Sequence, residues 1–148
     1  MPVTNYIDKK NKIIITSWHG EPSDSDLIDA LNIYLRDIKS KPELNDYNEL
    51  VNFGDSQGFK LTANALIELG RIASKSDKPG NNKLAIVVSS PLAYGLARMY
   101  EVHRNFNPQS TKKVLVFKSE IEAKTWLEPQ EEPKTDSEDF FVQNNGSE

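Results

Sequence analysis

The spacing of apolar positions switches repeatedly between alternation and a three-to-four-residue stripe, and the switches mark out nine elements. Val3 to Asp8 and Lys12 to Trp18 are β-rich runs joined by the polar tetrad Asp8-Lys9-Lys10-Asn11, which predicts a hairpin with a charged turn. After Gly20 and Pro22, the residues Leu27, Ile28, Leu31, Tyr34, Leu35 and Ile38 recur at helical spacing, predicting an amphipathic helix that starts near Ser23 and ends before Pro42. Tyr47 to Phe53 predicts a third strand. Thr62 caps a second helix whose inward face is Leu66, Leu69, Gly70 and Ala73, and Lys78-Pro79-Gly80-Asn81-Asn82 ends it.

Leu84 to Val88 is a continuous aliphatic run, the mark of a strand covered on both faces. Ser90-Pro91 supplies an N-cap with proline at the first helical position, and the helix runs to about Phe106. Lys113 to Phe117 predicts the last strand. Ser119 with Glu122 three residues on predicts a capping box for a short helix closing at Trp126-Leu127. The order is ββαβαβαβα. Helical crossovers between successive strands require parallel pairing, so the expectation is an α/β domain with a mixed, mostly parallel sheet and helices packed on it.

Composition changes this picture at one end. From Glu128 onward Pro, Glu, Lys, Ser and Asp dominate, and residues 128–148 hold seven acidic side chains and one lysine, leaving 17 basic against 15 acidic in 1–127. The expected organisation is one folded domain over 1–127 and an acidic, disordered tail over 128–148, with Phe140-Phe141-Val142 as a candidate docking motif. The near-neutral domain lacks the basic stripe that nucleic acid demands. With no cysteine there is no disulfide, thiolate nucleophile or Cys-ligated metal, and cytoplasmic location is the default. The N-terminus lacks a signal-peptide pattern and no apolar run is long enough to span a bilayer.

Three stretches, Ala85-Ile86-Val87-Val88, Tyr94-Gly95-Leu96-Ala97-Arg98-Met99-Tyr100, and Val116-Phe117 followed by Ala123 and Trp126-Leu127, resemble the stand-alone bacterial SpoIIAA-like family, which has a STAS-type fold. The resemblance covers residues 3–127. It implies a regulatory or ligand-binding module, because relatives of this shape bind partner proteins or hold lipids and other small ligands. It leaves peripheral membrane contact open and does not fix an oligomeric state.

Gly54-Asp55-Ser56-Gln57-Gly58 matches the G-x-S-x-G nucleophile elbow, with Asp77 and His103 in the right chain order for a triad. An elbow needs the helix to begin at the serine, whereas Phe59-Lys60-Leu61 intervene before the Thr62 cap, so an accidental match is expected and a serine hydrolase is a remote alternative. Asp55-Ser56-Gln57-Gly58 also resembles the Asp-Ser-x-Gly phosphorylation sequence of SpoIIAA-type anti-sigma-factor antagonists. That resemblance implies a phosphoserine switch at Ser56. His19 and His103 have no partners at ligand spacing, so no metal is expected, and no phosphate loop or other cofactor motif is present.

What remains is positional. Ligands of open α/β sheets bind beyond the carboxyl ends of the parallel strands, near helix N-termini. Trp18, His19, Asp55, Ser56, Ser89 and Ser90 lie at those ends, with Tyr94 and Arg98 one and two turns along the third helix. The leading expectation is therefore a non-catalytic module that binds a partner protein or a small anionic or lipid-like ligand at this edge. Gly95, costing about 1 kcal/mol against alanine inside a helix, is expected to mark close approach of that helix to the sheet or to a ligand, with packing the leading explanation.

Overall fold

The computed structural model describes residues 3–56, 61–77, 80 and 82–128, without the side chains of Asp55 and Ser56. Gln57 to Lys60, Lys78-Pro79, Asn81 and the tail with Phe140-Phe141-Val142 lie outside the described residues. Strands β1 (Val3–Asp8) and β2 (Ile13–Gly20) pair antiparallel, with Tyr6 opposite Ile15. The Asp8 carboxylate fixes their turn by accepting from the Asn11 backbone N–H at 3.1 Å and its side-chain amide at 3.0 Å.

Strands β3 (Asn48–Ser56), β4 (Lys83–Val87) and β5 (Lys113–Phe117) then add in parallel, so the sheet runs β1-β2-β3-β4-β5 in space as in sequence. The helices are α1 (Asp24–Lys39), α2 (Ala63–Ser76), α3 (Pro91–Phe106) and α4 (Glu120–Leu127), with a 3-10 turn at Pro42–Leu44. Each helix begins where the sequence places a cap. Ser23, Thr62, Ser90 and Ser119 each accept the N–H three residues on, and Asp26 returns a bond to the Ser23 N–H.

Two strands outrun their apolar pattern. Beyond a register break between Ser17 and His19, His19 pairs with Asp55 and Gly20 with Ser56. Backbone pairing, which needs no apolar side chain, carries β2 and β3 past Trp18 and Phe53.

The sheet is covered on both faces. Against α4 lie Ile13, Leu50, Ala85 and Val87, closed by Ala123 and Leu127. On the other face Leu84, Ile86, Val88 and Val114 meet Ala93 and Ala97 of α3. Helix α2 buries the expected Leu66, Leu69, Gly70 and Ala73.

Gly70 sits where α2 and α3 touch, and a Cβ there would stand 2.2 Å from Cδ2 of His103. Gly95 corrects the expectation of close packing. It is exposed, and a Cβ would meet nothing within 4 Å.

Candidate ligand cavity and carboxyl edge

Helix α1 carries the expected apolar stripe, yet only Leu27 on it is buried, and Leu31, Tyr34, Leu35 and Ile38 are half-buried. They face a cavity of about 400 Å³ between the α1–α2 layer and the sheet. Its walls include Ile14 and Trp18 of β2, Phe53 of β3, Ile86 of β4, Leu31 of α1 and Leu69 of α2. The exposed lining residues Asn5, Ile33, Asp37 and Lys41 place its mouth between β1 and α1. The size falls in the roughly 300–1,000 Å³ range of small-molecule sites, whose walls are likewise mostly apolar.

The cavity has two different ends. Towards the carboxyl ends of the strands, Trp18 stacks on Phe53 with ring centroids 6.1 Å apart and planes 16° from parallel. Towards the amino ends, the Glu49 carboxylate accepts from the Tyr34 hydroxyl and pairs with Lys112 Nζ at 2.6 Å, with the Glu49 side chain 13% exposed. Burial, with the Glu49 charge and hydrogen bond beside it, pushes the Tyr34 phenol well above its ordinary value.

Beside that pair Arg104, 1% exposed, donates to the Tyr100 hydroxyl at 2.8 Å, to Ser110 Oγ at 3.2 Å and to both oxygens of Asp77. Burial opposes the Arg104 charge, but Tyr100 and Asp77 more than offset it and hold the guanidinium above its usual value. This polar end was missed as a cluster because its residues are scattered over α1, β3, the end of α2, α3 and the loop before β5. Tyr34 was legible only as part of the α1 stripe and Asp77 only as a triad candidate.

The expected carboxyl-edge residues divide among several surroundings. Trp18 faces the cavity. His19 and Ser89 line a separate, polar depression of about 460 Å³ on the α4 side, with Ser17, Asn52, Lys118 and Glu120. Its polar groups bond to one another: Asn52 donates to Glu120 at 3.1 Å and accepts from the Gly54 N–H at 2.7 Å, and Ser89 Oγ donates to the Gly54 carbonyl at 3.3 Å.

Ser90 is occupied in capping α3. The Tyr94 ring lies under Lys118 Nζ, 4.7 Å from its centroid. Arg98 turns along its own helix to Glu101 at 3.2 Å. Asp55 and Ser56 close β3 beside His19 and Gly20, so their backbones reach the same edge.

Ser56 ends a strand and α2 starts only at Ala63, so the serine does not open a helix as an elbow requires. Asp77 is held by Arg104, Ser110 and the Thr111 N–H, and His103 packs against Gly70, so neither is set as a triad partner. Among the described residues no three His, Asp or Glu gather as metal ligands, and no helix is long and apolar enough to cross a membrane.

Neither a family model nor a curated protein matches the chain. Among solved structures it is similar to an uncharacterized protein of the DUF3478 family with a SpoIIAA-like fold from Shewanella loihica PV-4. The two share 16% identity over 84% of this chain and 91% of that one, with a TM-score of 0.52.

Proposed function

The chain has a SpoIIAA-like α/β fold, and we propose that it is a non-catalytic, cytoplasmic binding module for one small amphipathic molecule. The observation that carries this reading is the apolar cavity under α1, which the helix leaves open although its stripe could have closed onto the sheet. A well-packed interior tolerates few voids larger than a water molecule, so a volume of about 400 Å³ beside half-buried leucines fits a ligand space better than a packing flaw. The ligand's apolar body would lie between Leu31 and Ile86, with its polar group at Tyr34, Glu49 and Lys112.

An amide NMR titration of the full chain with oleate, and separately with inorganic phosphate, tests this. Oleate should shift Leu31, Leu35, Phe53 and Tyr34. Phosphate shifts at His19, Ser89 and Lys118 without any oleate response would move the ligand to the carboxyl edge. No response to either would leave the module to a protein partner and sink the small-ligand reading.

A second reading, a phosphoserine-switched regulator, rests on Ser56 ending β3 at the carboxyl edge of the sheet, with its backbone paired to Gly20. A phosphate there would add close to two negative charges at the carboxyl edge of the sheet. Mass spectrometry of the protein from its native cells decides it, and unmodified Ser56 under all growth conditions would remove it.

A further inference from the structure

The outer face of α3 is apolar where it should be polar. Leu92 is 63% exposed, Met99 47%, Val102 48% and Phe106 83%. With Gly95 they fall at successive spacings of three, four, three and four, the heptad pattern of a helix meant to meet another helix. Ala93, Ala97 and Arg104 on the opposite side are buried against the domain, so the stripe is not a helix rotated out of place. Ile67, three residues before the Gly70 that meets His103, adds a further exposed apolar side chain on the neighbouring helix α2.

We propose that this face of α3 is a two-fold self-association surface on which a second copy of the chain docks with its α3 antiparallel. The stripe is nearly symmetric about Met99. Leu92 and Phe106 stand seven residues to either side, Gly95 four before and Val102 three after.

An isologous contact needs a self-complementary patch, and this stripe becomes one when two copies cross at Met99. The small Leu92 end then receives the partner's Phe106, and Gly95 faces the partner's Val102. Gly95, for which the interior of the domain gives no reason, has one here. The missing Cβ lets the two helix axes approach. At the flank, Arg98 is neutralised by its own Glu101, so like charges do not oppose the approach.

One helix pair is a small interface, so the dimer is expected to be reversible and concentration-dependent. Sedimentation equilibrium of the full chain should show a monomer–dimer equilibrium, and Val102→Glu should shift it to monomer while circular dichroism and thermal unfolding stay unchanged. The chain contains no cysteine, so introduced thiols report geometry cleanly. The double variant Leu92→Cys/Phe106→Cys should form a disulfide-linked dimer on mild oxidation, and Leu92→Cys alone should not.

A chain that stays monomeric at its highest soluble concentration overturns the proposal, as does a dimer indifferent to Val102→Glu. Efficient cross-linking by Leu92→Cys alone overturns the antiparallel arrangement. A monomer in which Phe140→Asp makes a Met99→Cys thiol more reactive would also overturn it, and would give the face to the chain's own tail.

Discussion

Arg104 closes on Asp77 with its Nη2 at 2.8 and 3.0 Å from the two carboxylate oxygens, and the two side chains are only 2% and 4% exposed. Asp77 also accepts from Ser110 Oγ and the Thr111 N–H, so one carboxylate ties the end of α2 to α3 and to the loop that leads into β5. Removing one partner of such a pair strands the other charge in the interior. Asp77→Ala should therefore cost about 3–5 kcal/mol, measured by urea unfolding. Because Lys112 follows that loop, the same variant should loosen the Lys112–Glu49 pair. A cost below about 1 kcal/mol, the level of a surface ion pair, would show the knot to be solvated in solution.

Tyr34 and Tyr100 are both raised above the ordinary phenol value, Tyr34 by burial and the Glu49 charge, Tyr100 by burial partly offset by Arg104. The folded state thus holds these protons more tightly than the unfolded chain. Their contribution is fully present below the unfolded value of about 10 and is lost as pH rises through the folded values. Stability should fall above about pH 10, and Tyr34→Phe should fall less steeply. In an absorbance titration at the phenolate band, two of the five tyrosines should ionise late, and Tyr34→Phe should remove one of them.

The two helical glycines should respond with opposite signs. Gly70→Ala drives a methyl into His103 Cδ2, and overpacking of this kind costs about 1–3 kcal/mol. His103→Ala in the same chain should relieve part of that cost, because the two residues share one contact. Gly95→Ala meets open space and should stabilise by about 0.5–1 kcal/mol, measured at concentrations where the chain is monomeric. Equal effects at both positions would contradict the geometry of the α2–α3 contact.

These glycines also show what periodicity conveys and what it omits. The aliphatic run Leu84–Val88, the Ser and Thr caps and the α2 stripe are local signals, and the structure places all of them as read. A stripe on a helix, however, reports only which side is apolar. It does not say whether that side meets packed atoms or a void, and the α1 stripe, legible only as the apolar face of an amphipathic helix, proves to line a cavity. The wrong inference at Gly95 has the same root: helical position gave a cost but no neighbour. Arg104 was overlooked because an arginine near a helix end is ordinarily solvated, and its burial depends on Asp77 and Ser110, which only the tertiary fold brings to it.

The cavity makes a prediction that separates a ligand space from an accident of packing. Ala30 of α1 lines it, and Ala30→Leu would place three further carbons in the void. Filling a true void commonly stabilises by about 0.5–2 kcal/mol, so this variant should unfold at higher temperature than the wild type. It should at the same time lose the amide shifts produced by oleate, while Leu92→Ser on the outer face of α3 should leave them intact. Higher stability with lost binding is the signature of a site kept open at the expense of packing. Lower stability in Ala30→Leu would mean that α1 already sits on the sheet in solution, and the cavity reading would fail with it.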